Sequence, residues 1–264
     1  MEYTVLKYGI ADGIATLTLN RPEVYNAFDQ TLSLEVIAAL QQAAKDPVVR
    51  VLVITGAGKA FCSGQDLKAA QVANADGAKR SLSESIHTRY NPMIRAMRTM
   101  PKPIIGMING VAAGAGCSLA LACDVLIASE SASFIEVFIN IGLVLDSGSS
   151  YFLPRLVGSA KAFELATLGS KVIAAEALQL GIVNCVVPHE QLADTTATWA
   201  ARYAAAPTKA IGLMKKMLNK SFNSSLDTML EYEAQCQEIA GSSYDYTEGV
   251  QAFLEKRKPV FKGM

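Results

Sequence analysis

Residues 101–124, PKPIIGMINGVAAGAGCSLALACD, hold a short apolar run from Ile104 to Ile108, the glycines Gly110, Gly114 and Gly116, and a run of small residues from Cys117 to Cys123. The pattern reads as a strand, a glycine-rich turn and a helix. A turn that opens a helix leaves backbone N–H groups without intrahelical acceptors. Those groups, with the helix dipole behind them, favour negative charge at the helix start. Glycine lets a ligand approach the backbone closely, so the turn reads as half of an oxyanion hole. A second polar, glycine-bearing stretch, residues 60–67 (AFCSGQDL), follows a buried apolar run, where α/β proteins set ligand contacts. A third, residues 142–148 (GLVLDSG), carries Asp146. Taken alone, Asp146 reads equally as a general base and as a turn or helix-capping aspartate before Ser147-Gly148.

Plainer readings compete with these. Residues 101–124 also fit a buried strand–turn–helix without a catalytic role. From Pro103 to Cys123 run 21 residues without a charge, long enough for a membrane span. Pro103, Asn109 and the three glycines argue against one, and no membrane association is expected. Glu136 is a second carboxylate, expected at the surface or in packing. Asp66 is expected to cap a helix, or to shape a loop. His87 and His189 stand alone and receive no role.

The elements that must position these residues follow from the rest of the chain. Its 264 residues suffice for a sizeable core without staples. Lys+Arg and Asp+Glu both count 24, so no basic excess points to nucleic acid. The five cysteines are odd in number and lack paired metal spacing, which fits reduced thiols in a cytoplasm. Of these, Cys62, Cys117 and Cys123 are expected in the core. Alternation predicts strands over 3–8 and 14–19. Asp29 is placed to cap a helix carrying Leu32, Val36, Ile37, Leu40 and Ala44 on one face. The β-branched run 48–54 predicts a strand buried on both faces. Residues 71–79 are small and polar and predict a mobile loop. Leu82, Ile86, Tyr90, Met93 and Met97 then repeat at helical spacing, with Pro92 expected to kink or divide the helix. Further strands are predicted at 125–128 and 182–187, and helices at 149–157, 160–168 and 174–180. After Pro188 only helices are predicted: 190–204, 207–220, 225–240 and 245–256. The whole predicts a layered α/β core followed by a helical part.

Five stretches together resemble the crotonase, or enoyl-CoA hydratase/isomerase, superfamily: NRPEVYNAF (20–28), ITGAGKAFCSGQDL (54–67), residues 101–129, GLVLDSGSS (142–150) and EGVQAFLEKRKPVF (248–261). They occur in family order across nearly the whole chain. The resemblance implies an α/β fold, a crotonase-like spiral of ββα units with a helical C-terminal trimerisation region. It divides the chain into an acyl-CoA-binding core, 1–200, and a trimerisation region, 201–264. It implies an acyl-CoA thioester substrate, no separate cofactor, no metal, and a homotrimer or dimer of trimers. It assigns the oxyanion-hole donors to the backbone N–H groups of Gln65 and Ala115. CoA contacts fall on Ala60, Gln65, Asp66 and Leu67, and on Phe253 and Lys256 reaching a neighbouring subunit.

The resemblance also bears on the reaction. Hydratases of this family carry two glutamates, at the positions of Ser118 and Phe138 here. Adding water needs a water held by acid/base groups, so their loss speaks against ordinary hydration. Asp146 stands where isomerases of phenylacetate degradation carry their aspartate. A 4-chlorobenzoyl-CoA dehalogenase would instead place histidine at Asn91 and tryptophan at Phe138. The Tyr90-Asn91-Pro92 run, the AAGAG turn and the SxxYxEGVxAFxxKR ending are similar to ring-1,2-epoxyphenylacetyl-CoA isomerases. One departure is Leu145, where those isomerases tend to have proline. The implied activity is isomerisation of the epoxide to oxepin-CoA, or of 3-enoyl-CoA to 2-enoyl-CoA, with Asp146 as the catalytic carboxylate. The alternatives are a hydratase or thioesterase of the same family, or a non-catalytic CoA-binding subunit in complex with an enoyl-CoA hydratase.

Overall fold

The structure, a computed structural model, describes residues 2–74 and 81–264. Its strands are β1 (Leu6–Ala11), β2 (Ile14–Leu19), β3 (Val51–Gly56), β4 (Ala60–Cys62), β5 (Ile104–Ile108), β6 (Val111–Ala113), β7 (Val125–Ser129), β8 (Ser133–Ile135), β9 (Val172–Ile173) and β10 (Cys185–Val187). They form a six-stranded sheet, β1-β2-β3-β5-β7-β10, and a four-stranded sheet, β4-β6-β8-β9. Apart from the β1–β2 hairpin, every pairing in the larger sheet is parallel. Three successive pairs, β3/β4, β5/β6 and β7/β8, each send a long strand to the first sheet and a short one to the second. Helical segments then return the chain for the next pair. This repeated ββα turn is the crotonase spiral.

Sequence explains why the spiral closes where it does. β3 and β7 are buried along their whole length, as apolar runs in a two-faced parallel sheet must be. The short strands β4, β6 and β8 are not legible in the sequence, because three residues give too little alternation to read. What fixes β4 is polar. Asn26, fully buried, donates from Nδ2 to the carbonyls of Ala57 and Ala60 at 2.9 Å each. Asn109 donates from Nδ2 to Gly58 O (3.0 Å) and Ala60 O (3.1 Å) and accepts from Gly56 N–H (3.2 Å). Two buried amides thus satisfy a turn that would otherwise bury unpaired carbonyls. Gly56 is obligatory there, since a Cβ would lie 2.3 Å from the carbonyls of Ala60 and Phe61.

The helices are α1 (Gln30–Lys45), α2 (Leu67–Asn74), α3 (Leu82–Ser85), α4 (Asn91–Thr99), α5 (Ala115–Leu121), α6 (Ser149–Val157), α7 (Ser159–Leu168), α8 (Ala174–Gln179), α9 (Leu192–Ala204), α10 (Thr208–Ser221), α11 (Leu226–Gly241) and α12 (Tyr244–Leu254). Asp29 caps α1 as expected, accepting from Leu32 N–H at 2.7 Å. Helical backbone runs unbroken from Leu82 to Thr99, so Pro92 does not divide it; a π-turn over Ile86–Tyr90 passes into α4 just before the proline, where such a bulge takes up the lost N–H. Of the expected loop 71–79, Gln71 to Asn74 belong to α2, and the remainder lies outside the described residues. The helix expected at 117–123 starts two residues earlier, at Ala115, directly on the glycine turn.

The division expected after residue 200 falls inside α9, which packs on β3, β5 and β7. The helices that leave the sheet are α10, α11 and α12. α10 is tied back to the core by Lys215, whose buried ammonium donates to Asp124 Oδ2 (2.7 Å) and Lys102 O (3.2 Å). No helix among the described residues is long and apolar enough to cross a membrane.

Candidate active site

Gln65 and Ala115 come from different turns of the spiral, yet their backbones meet. A Cβ placed on Gly64 would lie 2.8 Å from Ala113 O and 3.4 Å from Ala115 N. Gly64 has φ +93°, which a side chain would strain. Gly116 is packed so tightly on β4 that a Cβ would sit 2.2 Å from Cys62 O. Gly114, at φ +50°, aims the first turn of α5. Its N–H donates to Ile135 O at 2.9 Å and its C=O accepts from Ser118 N–H at 2.9 Å. Among the described residues, neither Gln65 N–H nor Ala115 N–H has an acceptor. Two adjacent unpaired amides are what an oxyanion needs. The Gln65 side chain is held from both sides: its Nε2 donates to Phe28 O (3.1 Å), and its Oε1 accepts from the Tyr90 hydroxyl. The Tyr90 ring packs edge-on against Phe28, with centroids 5.9 Å apart.

Asp146 is positioned by a tight turn. Ser147 and Gly148 both have positive φ, +51° and +87°, as in a type I′ turn. Ser149 N–H returns to Asp146 O at 3.0 Å, and α6 starts there. The turn reading and the catalytic reading of Asp146 are therefore compatible, because the turn uses its backbone and leaves the carboxylate unspent. That carboxylate accepts from Ser147 Oγ at 2.7 Å. Burial raises its pKa above the usual aspartate value, and the Ser147 hydrogen bond opposes this. Asp146 also lies close enough to Tyr90 to help raise the phenol's pKa, after burial as the main cause. Tyr90 thus touches Gln65 by a hydrogen bond and feels the Asp146 charge, and Ser118 ties the Asp146 backbone to the Gly114 carbonyl that precedes Ala115.

Of the two places expected for Glu136, surface or packing, the structure takes the second: it is 3% exposed. Its Oε1 accepts from Ser149 Oγ at 2.9 Å, and Ser149 Oγ lies 2.7 Å from Ser118 Oγ. Ser118 Oγ in turn reaches the carbonyls of Asp146 and Gly114, 3.2 Å each. Burial pushes the Glu136 carboxyl up to about 7. Hydrogen bonds from Ser149 and Cys117 oppose the rise, and the Asp146 charge adds to it. Cys117, itself buried, has its thiol raised by burial first and by Glu136 second. Cys62 and Cys123 are buried as expected, and all five cysteines are free.

The CoA-contact candidates divide into two places. Ala60 is buried in β4, with its carbonyl taken by Asn26 and Asn109. Asp66 accepts from Ala69 N–H (3.0 Å) at the head of α2 and pairs with Arg21 at 3.1 Å, which accounts for it structurally. These contacts hold its pKa below the usual value. Leu67 opens α2, half exposed. Phe253 and Lys256 lie at the far end of α12. Phe253 is 82% exposed beside a groove of about 780 Å³ that Pro207, Gln237, Tyr246 and Phe261 also line. That groove contains neither Gln65, Ala115 nor Asp146.

Residues 9–264 match the enoyl-CoA hydratase/isomerase family model. The chain belongs to that family. A crystal structure of a family member from Mycobacterium abscessus, 38% identical, superposes with a TM-score of 0.93 over 98% of this chain and 100% of that one. The 1,2-epoxyphenylacetyl-CoA isomerase of Escherichia coli (strain K12) is 43% identical over 96% of this chain and 97% of its own length. Hydratases are relatives too: the 2,3-dehydroadipyl-CoA hydratase of the same organism is 33% identical over 95% of each chain. Family membership makes this an acyl-CoA enzyme fold, with both reaction types represented among its kin.

Sequence reasoning missed Ser149 and its bond to Glu136, whose place it left open between surface and packing. Nothing local marks Ser149, which reads as a helix-start serine. Glu136 in Phe134-Ile135-Glu136-Val137-Phe138 did carry a signal: a lone acid amid large apolar residues is either surface or buried for a reason.

Proposed function

We propose that the protein is an acyl-CoA isomerase in which Asp146 moves a proton at the substrate's α-carbon while the N–H groups of Gln65 and Ala115 hold the thioester oxygen. The observation that supports this reading is a pair of adjacent unpaired amides, with a partly desolvated carboxylate whose turn is tied through Ser118 to the same glycine turn. Ser118 and Phe138 occupy the positions of the hydratase glutamates. For a 3-enoyl-CoA the Asp146 carboxylate takes a C2 proton, and the C–H electron pair passes into the C=C–O⁻ of an enolate. The enolate collapses with protonation at C4 by the Asp146 carboxyl, so the double bond moves to C2 and the carboxylate is regenerated. Each amide donor is worth roughly 3–4 kcal/mol in such sites, and the base contributes about 10²–10⁴ in rate. A desolvated aspartate is a stronger base than an exposed one, which suits the weak acidity of a thioester α-carbon. The identity to the Escherichia coli isomerase favours 1,2-epoxyphenylacetyl-CoA as substrate, rearranging to oxepin-CoA, with the same enolate-like charge assisting epoxide opening.

The test measures turnover of the epoxide, a 3-enoyl-CoA and a 2-enoyl-CoA by wild type and Asp146→Ala. Isomerisation lost in the variant is the expected result. Net addition of water to the 2-enoyl-CoA as the dominant activity assigns the chain to the hydratases instead. No turnover with CoA binding intact favours a scaffold role.

A further inference from the structure

Behind Asp146 lies a buried chain of oxygens that the reaction above does not use. It runs Glu136 Oε1, Ser149 Oγ, Ser118 Oγ, with steps of 2.9 and 2.7 Å, and ends on two carbonyls, Asp146 O and Gly114 O, 3.2 Å from Ser118 Oγ. Glu136 Oε2 has no N–H or O–H partner, and the Cys117 thiol is the donor facing the carboxyl. Glu136 also lines a small space of about 10 Å³ with Cys117, Phe134, Leu153, Leu165 and Val172. The titratable groups facing Glu136 are the Cys117 thiol on α5 and the Asp146 carboxylate on its loop; no cation faces it among the described residues.

Proton counting gives this chain two states. Each serine hydroxyl has one proton to donate. When Glu136 is ionised it can only accept, so Ser149 donates to it and Ser118 must donate to Ser149. The carbonyls of Asp146 and Gly114 then receive no hydroxyl. When Glu136 is protonated it donates to Ser149, Ser149 donates to Ser118, and Ser118 is free to donate to a carbonyl. The two carbonyls belong to the peptides that matter. Gly114 C=O shares its peptide plane with Ala115 N–H, and a donor on that oxygen polarises the N–H outward. Asp146 C=O closes the turn that aims the carboxylate.

We propose that Glu136 is a positioning residue whose protonation sets the direction of the Ser149–Ser118 hydroxyl chain and so frees the single Ser118 proton, equidistant from Gly114 O and Asp146 O, to polarise the Ala115 donor or to firm the Asp146 turn. This rests on the roles proposed for Asp146 and Ala115. The neutral form, favoured at and below neutral pH, is the active one. Ionisation of Glu136 imposes an alkaline limb on kcat with a smaller change in KM, because the Ala115 donor counts most where charge develops on the thioester oxygen, in the transition state.

The experiment records kcat and KM against pH for a 3-enoyl-CoA with wild type, Glu136→Gln, Ser149→Ala and Asp146→Ala. Infrared spectroscopy follows the protonated-carboxyl band of Glu136 in the first three. Wild type should lose about three- to tenfold in kcat on crossing neutral pH, the size of one hydrogen bond. E136Q is near-isosteric and should lack both the limb and the band. S149A should keep the band's titration but lose the limb, since the carboxyl is uncoupled from Ser118. A wild type without the limb, or a limb that persists in E136Q or in S149A, overturns the proposal. If S149A does not fold, E136Q decides alone. Full activity in D146A defeats the isomerase reading; a dead D146A with an E136Q profile equal to wild type defeats the Glu136 role only.

Discussion

Two sets of carboxylates in this chain are handled in opposite ways. Asp146 and Glu136 sit between apolar walls with hydroxyls and a thiol for partners, and both are raised, Glu136 to about 7. At the C-terminus, Glu248 accepts from Arg257 Nη1 (2.7 Å) and Nη2 (3.0 Å) and from Val260 N–H (2.7 Å). The arginine above all holds it down at about 2. Asp245 nearby accepts from Lys262 N–H (2.6 Å) and Gly263 N–H (2.8 Å), so two acids on α12 fasten the chain's last residues. The same functional group thus serves as proton carrier in one place and clasp in the other. What separates the roles is the presence of a cation and of aimed N–H groups, not depth alone.

The comparison breaks most visibly at Asp146. Asp146→Ala should cut isomerisation by about 10²–10⁴, measured as kcat/KM, with the fold unchanged by circular dichroism. In wild type, activity should fall as pH drops through the raised Asp146 pKa, because the base is then already protonated. An acid limb at the ordinary aspartate value would show that the wall around it does not desolvate it. Gly64→Ala comes next. Its φ of +93° and a Cβ 2.8 Å from Ala113 O force the Gln65 turn to move. A loss on the order of tenfold or more in kcat, with a smaller change in KM, is expected from misplaced donors.

Glu136 sharpens the contrast through stability. Its folded pKa of about 7 stands above the ordinary glutamate value of 4.5, so the folded state binds the extra proton. Stability is then greatest below the unfolded value and falls as pH rises from about 4.5 to about 7. Glu136→Gln removes that dependence. At pH near 8 it should be stabilised relative to wild type by roughly 3 kcal/mol at most, and near pH 4 not at all, as read from denaturant unfolding. An equal effect at both pH values would mean that the carboxyl is not desolvated in the folded protein.

The frame of this site is readable in the sequence, and physics says why the reading stops there. The cap at Asp29, the buried strands and the glycine turn follow from local rules of spacing and φ. Gln65 and Ala115 follow only from family resemblance, because any backbone has an N–H. The short strand β4 stays hidden because its turn is held by Asn26 and Asn109, which act across 31–51 residues of chain, and β6 and β8 because three residues carry too little alternation to read. Ser149 stays hidden because its partners, Glu136 and Ser118, lie 13 and 31 residues away. Glu136 stays open between surface and packing because a single acid among apolar neighbours cannot announce which face it takes until the sheet is assembled.

The clasp gives the smallest effect and tests the other half of the contrast. Glu248 is depressed in the folded protein, so its contribution is present above the ordinary glutamate value and is lost as pH falls toward about 2. Arg257 is also gripped by Glu255 at 2.5 Å, so removing the arginine frees two acids at once. Arg257→Ala should leave activity on a 3-enoyl-CoA unchanged unless the tail also serves CoA binding through the neighbouring Lys256. Hydrogen exchange at residues 257–263 should rise severalfold at neutral pH in R257A, and in wild type only below about pH 4. The remaining bonds from Asp245 to Lys262 and Gly263 limit the opening, so Asp245→Asn combined with R257A should release the segment further than either alone. If exchange in R257A stays at the wild-type level, the tail is held by its N–H bonds to Asp245 and Glu248. The cation would then set a pKa without setting a structure.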